Sequence, residues 1–408
     1  MVGMTQRVLH VLSQRPSRTG SGVTLEHLAN HADEAGWVQK AIIGVPAEDP
    51  SPPVGRLPQA DVHPMVFETA ALDFPVPGMS DVMPYRSTRF STLTEAQVAG
   101  YLEAWRGHIA PIVAQFQPDI VHSHHVWLMS SILKDIAPDI PVVTHCHATG
   151  LRQMSLCPHL AERVQEGCRR NDRFVVLHQG HADDLVKALR IAPERVVVVG
   201  AGYGEETFGA DGRVPAPEPR LLYAGKYSHA KGLPWLLDAV EGLTPQLPGL
   251  TLHIAGSGAG EEADRLRARM EKMPQVVLHG QVSQAELAEM MRAASVFVLP
   301  SFYEGLPLVC VEAAASGCQV VATDLHGVRQ LSGALGPWLH RVAMPRLEHV
   351  DVPVAEDLPA FVDDLTRTLG IALEMSPPSE RPDLGLWTWR AVFDRVQDVW
   401  RRLGSQSA

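Results

Sequence analysis

The stretch that decides the fold is QVSQAELAEMMRAASVFVLPSFYEGLPLVCVEAAASGCQVVAT, residues 281–323. Its SQAE start is a capping box and predicts a helix over 284–293. The β-rich runs SVFVLP and CQVVAT enclose a second helical segment, which Pro307 is well suited to begin. Strands that alternate with helices in this way predict a parallel sheet covered on both faces.

The same alternation recurs through most of the chain and forms two series. Strand-like runs are predicted at 7–12, 38–43, 119–122, 141–145, 173–177 and 195–199, and then at 220–225, 250–256, 275–280, 295–300 and 318–323. The Gly/Pro-rich stretch between the series has the composition of a linker. The predicted organisation is a domain over 1–208, a linker over 209–219, a second domain over 220–385 and an amphipathic helix over 386–408.

Composition excludes several classes of protein. The chain has 408 residues and a net charge of −11, so nucleic acid and anionic membrane surfaces are poor partners. Its five cysteines form no C-x-x-C pair, which favours free thiols over disulfides or structural zinc. We expect no membrane span, since no run of 18 apolar residues occurs. The start MVGMTQRVLHVLS lacks signal-peptide features, so we expect a cytoplasmic protein.

Two carboxylates frame the helix that Pro307 begins. Glu304 lies in the loop before this helix, and Glu312 lies on its second turn among valines and alanines. Each acid is either a solvated surface group or part of a site. Because a charge in an apolar segment needs a partner, Glu312 favours a site.

Glycines and lysines mark three loops that follow strands, where doubly wound sheets bind ligands. In RPSRTGSGV, Gly22 either forms part of a tight turn or helps to present N–H groups to an anion. In YAGKYSHAKG, Lys226 and Lys231 are either solvated or neutralise a diphosphate. The spacing in IAGSGAGEE is G-x-G-x-G, which favours a tight turn at Gly258 and Gly260 over a dinucleotide loop.

Histidines cluster at two predicted strand ends of the first domain. VHSHH contributes His122 and His124, and THCHATG contributes His145 and His147. No nearby acid completes an obvious metal set, and a zinc site needs three or four converging groups. We therefore interpret these residues as hydrogen-bonded histidines near a cleft and predict no metal.

One segment, residues 46–95, shows little regular pattern and is either an insertion or a functional loop. Its part 73–90 mixes apolar with polar side chains, as a ligand-binding loop would. Under that interpretation Asp81 and Tyr85 line an acceptor site. The alternative is a structural cover over part of the first domain.

Taken in order, these motifs resemble those of the retaining GT-B glycosyltransferases of family 4, over most of the chain. Residues 281–323 match the family's most diagnostic stretch, with Glu304 and Glu312 as its E-x7-E pair. In the matching basic pair, Lys226 stands where arginine is usual, and in the glycine loop Ser21 stands where glycine is common. The resemblance implies two Rossmann-like, doubly wound α/β domains that face each other across a cleft. It also implies a C-terminal helix that crosses back to the first domain.

Roles for single residues follow from the resemblance. Glu304 would reach hydroxyls of the donor sugar, and Glu312 would accept hydrogen bonds from the ribose. Lys226, Lys231 and His147 complete the expected catalytic group. The donor would also contact Ser21, Gly22, Gly256, Val282, Gly305, Leu306 and Pro307. Independently of the resemblance, we predict that the acceptor side comprises Asp81, Tyr85, His124 and Arg152.

The implied reaction transfers a sugar from a nucleoside diphosphate sugar to a small-molecule or glycan acceptor, with retention and without a metal or other cofactor. UDP is the commoner donor base in the resembled family and GDP the less common one. Front-face departure and attack is favoured over a covalent intermediate on Glu304, the route of retaining glycosidases. A nucleotide-sugar epimerase, a dinucleotide-dependent oxidoreductase and a silent binding module are the alternatives. A monomer or a homodimer is expected.

Overall fold

The computed structural model describes residues 6–16, 19–70, 72–80 and 83–404, which fall into two compact units. Unit 1 comprises Met1–Ala201 and Trp389–Ala408, and unit 2 comprises Gly202–Thr388. All five cysteines are free and buried, as predicted.

Unit 1 contains a seven-stranded sheet with helices between its strands. The strands are β1 (Arg7–Leu12), β2 (Val38–Val45), β3 (Val62–Val66), β4 (Pro77–Gly78), β5 (Thr88–Arg89), β6 (Ile120–His124), β7 (Val142–Cys146), β8 (Arg173–Val176) and β9 (Val196–Val198). The helices are α1 (Gly20–Glu34), α2 (Glu95–Phe116), α3 (Leu128–Ser131), α4 (Leu133–Ile136), α5 (Thr149–Leu156), α6 (Pro158–Cys168) and α7 (Gln179–Leu189). The sheet order is β3-β2-β1-β6-β7-β8-β9, with parallel pairing throughout, and β4 and β5 pair separately.

Strand β3 lies in the segment that showed little regular pattern. It pairs with β2 at the edge of the sheet, with Pro64 opposite Ile43. Proline cannot donate to a strand ladder and is tolerated at an edge, so the sequence of β3 lacks the usual strand signal. The rest of the segment packs by means of Phe67, Phe74 and Phe90, which are all buried.

Unit 2 contains a six-stranded sheet of the same kind. Its strands are β10 (Arg220–Ala224), β11 (Thr251–Ala255), β12 (Val276–Gly280), β13 (Val296–Leu299), β14 (Gln319–Thr323), β15 (Leu339–Val342), β16 (Leu347–His349) and β17 (Val352–Pro353). Its helices are α8 (Leu233–Leu243), α9 (Glu261–Met270), α10 (Gln284–Ala293), α11 (Leu308–Ala315), α12 (His326–Leu335) and α13 (Leu358–Glu374). The order is β12-β11-β10-β13-β14-β15, again parallel, while β16 and β17 form an antiparallel pair.

Both large sheets are doubly wound. The strand order reverses between β1 and β6 in unit 1 and between β10 and β13 in unit 2. On β10, Leu221 and Tyr223 face one core cluster and Leu222 faces the other, so both faces of the sheet are covered. The loops beyond the carboxyl ends at these reversal points are the expected ligand sites of such sheets.

The final helix, α14 (Trp389–Gly404), belongs to unit 1. Its apolar stripe includes Val392, Phe393, Val396 and Trp400, all fully buried, and the Trp400 ring meets Trp37 edge-on at 5.1 Å. The helix begins three residues after the predicted start at 386. Among the residues that the structure describes, no helix combines the length and apolar character needed to span a bilayer.

The expected linker over 209–219 differs from what the structure shows. Phe208 is buried in a core cluster of unit 2, and the Arg213 guanidinium donates to Ala294 O at 2.8 Å. Ala216 N donates to Ala293 O at 3.0 Å. The boundary therefore lies between 201 and 202 rather than after 208. Gly and Pro indicate irregular backbone, and here that backbone packs on unit 2.

Candidate functional site

The loops after β10 and β13 bring two opposite charges together in unit 2. These strands are neighbours at the reversal of strand order, so the loops at their carboxyl ends lie side by side. Lys231 Nζ donates to Glu304 Oε1 at 2.6 Å. The lysine side chain is 28% exposed and the glutamate side chain 18%. The pair is therefore accessible to a ligand, and an incoming phosphate can replace the carboxylate as the partner of the lysine.

Glu312 lies half-buried on α11, with the fully buried Val311 and Ala313 beside it in the chain. Burial raises the pKa of its carboxyl to about 7. The carboxyl is then divided between its two protonation states near neutral pH. A ligand whose hydroxyl groups donate hydrogen bonds to it would favour the ionised state.

The turn from Glu304 to Glu312 is held by close packing. Leu308 N donates to Leu306 O at 3.0 Å, and Pro307 is the residue before the first turn of α11. A Cβ atom on Gly327, in the first turn of α12, would lie 2.1 Å from Gly305 O. The absence of a side chain at Gly327 thus lets α12 pack directly against this turn.

Loop packing explains the glycines of GSGAG. Gly256 has a φ of +134°, and a Cβ there would lie 2.0 Å from Gly225 O. A Cβ on Gly258 would lie 2.6 Å from Ala263 Cβ. These contacts support the interpretation as a tight turn. Val282, half-buried between β12 and α10, lies in a loop at the same end of the sheet.

The glycine loop of unit 1 forms the start of helix α1. Gly20, Ser21 and Gly22 form the first turn of α1, and Thr19 caps it by accepting from Gly22 N at 3.2 Å. Ser21 Oγ donates to Gln14 Oε1 at 3.3 Å. The N–H of Gly22 is therefore already paired, so an anion contact predicted at this residue has to compete with the cap.

Histidines converge at the carboxyl ends of β6 and β7. His122, His124 and His145 are fully buried, and one ring nitrogen of each lies within 4.8 Å of the others. Next to them, His124 Nδ1 and His147 Nε2 share a hydrogen bond of 3.0 Å. The His145 and His147 rings stack at 4.3 Å. Desolvation lowers the pKa of His145 to about 3 and those of the other three well below the usual value.

The hydrogen bonding of His122 argues against a metal at this cluster. Trp400 Nε1 donates to His122 Nδ1 at 2.9 Å, which places the proton of a neutral imidazole on Nε2. A metal ligand needs a lone pair at that nitrogen and normally donates its other N–H outward, the opposite arrangement. The tautomer that Trp400 favours at His122 is therefore not that of a metal ligand.

Of the four predicted acceptor residues, the structure describes Tyr85, His124 and Arg152. Asp81 lies outside the described residues. Tyr85 packs partly against the core of unit 1, and burial raises the pKa of its hydroxyl. His124 is buried and bonded to His147, so its ring cannot face an acceptor without moving. Arg152 is half-buried on α5.

The described part of the segment 73–90 packs against the core of unit 1. Phe74, Val76, Met79 and Phe90 are buried there. Gln153 Nε2 donates to Met79 O at 3.1 Å, which ties the segment to α5. These apolar side chains therefore pack in the core, as the structural-cover alternative expects.

The sequence did not indicate two side chains that donate hydrogen bonds to predicted site residues, Trp400 to His122 and Tyr223 to Lys226. Trp400 is one, because a tryptophan in an amphipathic stripe is normally assigned to packing alone. Tyr223 is the other; its hydroxyl donates to Lys226 O at 2.7 Å. A tyrosine at the end of a buried strand, just before a basic loop, is the signal that could have found it.

Comparisons with known proteins agree with this geometry. The model of the family described as "Glycosyl transferase 4-like domain" matches residues 19–202, and that described as "Glycosyl transferases group 1" matches residues 218–341. A D-inositol 3-phosphate glycosyltransferase of Streptomyces coelicolor is 30% identical over 348 residues, 74% of this chain and 73% of the relative. One from Streptomyces scabiei is 32% identical over 258 residues, and this match spans only 56% of the relative's length.

Solved structures show the same fold. Sucrose-phosphate synthase from Thermosynechococcus elongatus superposes with a TM-score of 0.66 at 17% identity, covering 98% of this chain and 100% of that one. At this identity the likeness concerns the GT-B architecture alone.

Proposed function

We propose a sugar-transfer reaction for this chain, which belongs to glycosyltransferase family 4 and has the GT-B fold. The donor is a nucleoside diphosphate sugar, the acceptor is a small molecule or a glycan, and the anomeric configuration is retained. The observation that carries the proposal is the Lys231–Glu304 contact of 2.6 Å, on loops at the reversal of strand order in unit 2.

Unit 2 supplies the groups that a nucleoside diphosphate needs. Lys231 and Lys226 are the cations for the diphosphate, and Glu312 is the acceptor for the ribose hydroxyls. A half-buried carboxyl with a pKa near 7 becomes ionised when such donors arrive, so ribose binding and proton release are coupled. In unit 1, His147 and the Gly22 loop are proposed donor contacts on the strength of the family resemblance.

Arrival of the diphosphate exchanges the partners of Lys231. In the free protein its ammonium is neutralised by Glu304. A phosphate oxygen competes for the ammonium, and Glu304 then becomes free to accept from hydroxyls of the sugar. This exchange makes the carboxylate available only when a leaving group is in place.

The chemical step breaks the bond between the anomeric carbon and the diphosphate oxygen. The acceptor oxygen forms the new bond on the same face, and its proton passes to the departing diphosphate. Negative charge grows on the leaving group, so preorganised cations lower the barrier. A covalent intermediate on Glu304 is the rival route and would give the same retained product.

We propose that no metal takes part, since the two lysines supply the charge that a divalent cation would bring. Turnover is then expected to persist in excess EDTA. A loss of activity in EDTA that Mg²⁺ or Mn²⁺ restores would contradict this point.

Donor and acceptor are approached by screening. UDP is the first base to test and GDP the second; a cyclitol phosphate is the first acceptor, because two relatives carry the name D-inositol 3-phosphate glycosyltransferase. A thermal-shift screen of nucleoside diphosphates finds the base, since a ligand at 100 times its Kd stabilises by about 2.7 kcal/mol. NMR of the product then reports the anomer.

The screen also separates the alternatives. An epimerase would convert the nucleotide sugar without any acceptor, and an oxidoreductase would change the absorbance of NAD(P)H. Binding of nucleoside diphosphates without turnover of any donor would indicate a binding module.

A further inference from the structure

The hydroxyl of Tyr223 is placed to control the basic loop. Tyr223 is the fourth residue of β10, and its side chain is fully buried in a core cluster of unit 2. Its Oη donates to the carbonyl oxygen of Lys226 at 2.7 Å. Desolvation raises the pKa of the phenol, so the group is a neutral donor at every working pH.

The loop Gly225–Gly232 is tied to its surroundings on several sides. Gly225 N donates to Ala255 O at 3.0 Å, and Tyr227 N donates to Ser257 O at 3.2 Å. On the other side, Phe302 N donates to Ala230 O at 2.9 Å, next to the loop of Glu304. These bonds fix the backbone around Lys226, while Tyr223 holds the carbonyl of Lys226 itself.

The space beside the Tyr223 hydroxyl admits no side chain at residue 225. A Cβ on Gly225 would lie 2.7 Å from Tyr223 Oη and 3.1 Å from its ring carbon Cζ. A side chain at 225 would therefore push against the phenol that holds the next peptide. The small size of Gly225 and the hydrogen bond of Tyr223 together determine the direction in which the loop leaves β10.

We propose that Tyr223 is a positioning residue for the transfer reaction: it holds the Lys226 peptide so that both lysines of the loop meet the diphosphate. The proposal rests on the proposed function of unit 2. Preorganised cations lower the barrier because they need no rearrangement when charge develops. Without the hydroxyl, the carbonyl of Lys226 loses this hydrogen bond, and the loop has to be ordered again at each binding event.

The test is Y223F, which keeps the ring in the core and removes only the donor. The affinity for the nucleoside diphosphate is expected to fall about fivefold to tenfold, the value of one neutral hydrogen bond. The affinity for the corresponding monophosphate, which lacks the second phosphate, should stay unchanged. A purely structural role for Tyr223 would lower both affinities together.

Y227F is the matched control. Tyr227 lies in the same loop, and its N–H rather than its hydroxyl makes the bond to Ser257. Both of its affinities should equal those of the unaltered protein. In Y223F, amide hydrogen exchange should also speed up at 225–232 and remain unchanged at 320–323 in β14.

A second variant guards against misfolding of the first. G225A displaces the hydroxyl from the other side and should give the same selective loss for the diphosphate. G333A in α12, where an added Cβ meets nothing within 4 Å, is its control. Equal losses for mono- and diphosphate, or no loss in either variant, would overturn the role of Tyr223. Failure of the unaltered protein to bind any nucleoside diphosphate would instead overturn the proposed function, and the role of Tyr223 with it.

Discussion

The two units hold their polar residues in opposite ways. In unit 1, His122, His124 and His145 at the strand ends are buried in the core, and burial lowers the pKa of His145 to about 3. In unit 2 the Lys231–Glu304 pair remains partly exposed, and burial raises the pKa of Glu312 to about 7. The first arrangement is uncharged and closed to solvent, whereas the second keeps charges that a ligand can use. Position at a strand end therefore does not by itself identify a binding residue. The exposure of the side chain to a ligand has to be known as well.

The largest expected effect is acid sensitivity of unit 1. The pKa of His10 is lowered to about 4 and that of His145 to about 3, from 6.5. Between pH 6.5 and these lowered pKa values, the histidines are protonated in the unfolded chain but neutral in the folded unit. The free energy of unfolding therefore falls as the pH falls. Each such histidine contributes a slope of about 1.4 kcal/mol per pH unit. Hydrogen exchange, followed separately in peptides of the two units from pH 7 to pH 4, measures the loss.

Variants sharpen this prediction. H145Q removes one buried titrating group and should flatten the slope in unit 1, whereas H349A, at an exposed site on β16, should leave the pH profile unchanged. Glu312 acts in the opposite direction in unit 2. Its contribution to stability is fully present below pH 4.5 and is lost as pH rises through about 7. Equal acid sensitivity of both units would contradict the contrast drawn between the buried histidines of unit 1 and the charged groups of unit 2.

Replacement of Lys231 by Ala should be the most damaging single change for catalysis. If its ammonium meets charge that grows on the departing diphosphate, kcat falls by about 100- to 1,000-fold, the usual loss for one such donor. Steady-state kinetics separate kcat from KM. The exposed Lys272 provides the control, since K272A should be unchanged. A raised KM with normal kcat would make Lys231 a binding residue only.

Replacement of Glu312 should weaken binding rather than chemistry. Hydrogen bonds to charged groups are worth about 1.5–3 kcal/mol, so E312Q should lose roughly 10- to 150-fold in nucleoside diphosphate affinity. Because the carboxyl has a pKa of about 7, the affinity of the unaltered protein should fall as pH drops below 7. Calorimetry at pH 6 and pH 8 measures both effects.

E312Q should bind equally at the two pH values, because it has no carboxyl to titrate there. E289Q, at an exposed position on α10, is the matched control and should keep the pH dependence. Unchanged nucleotide affinity in E312Q would remove Glu312 from the site.

The smallest expected effect has an unusual sign. E304Q frees Lys231 from its ion pair, so the variant should bind the nucleoside diphosphate more tightly. Partly exposed pairs are worth about 0.2–1 kcal/mol, which corresponds to a gain of up to about fivefold. Sugar transfer should fall in the same variant, since the contact with the donor sugar is lost. A weaker affinity for the diphosphate would show that Glu304 does not compete with it for Lys231.

Most strands of the two large sheets could be predicted, because buried parallel strands appear in the sequence as continuous apolar runs. The capping box at Ser283 is present in the structure, as is the two-series organisation. The edge strands β3 and β15 were not predicted from the sequence. Strand β3 contains Pro64, and β15 has the half-exposed pattern LHRV. Edge strands need no continuous apolar run, so they carry a weaker signal.

The candidate site was predictable in part. The spacing of Glu304 and Glu312 and the two lysines were visible in the sequence, but the ion pair joins residues 73 positions apart. The surroundings of His122 depend on Trp400 of α14, 278 positions away, which a local pattern does not contain. The acceptor residues placed in unit 1 stay a prediction.

The most direct test of the central claim is hydrogen exchange with and without a saturating nucleoside diphosphate. If unit 2 holds the nucleotide through the groups described, protection should appear in peptides covering 223–232 and 301–317. The buried strands β6 and β7 of unit 1 should keep their exchange rates. Binding that protects neither unit 2 segment would contradict the claim that these loops form the nucleotide site.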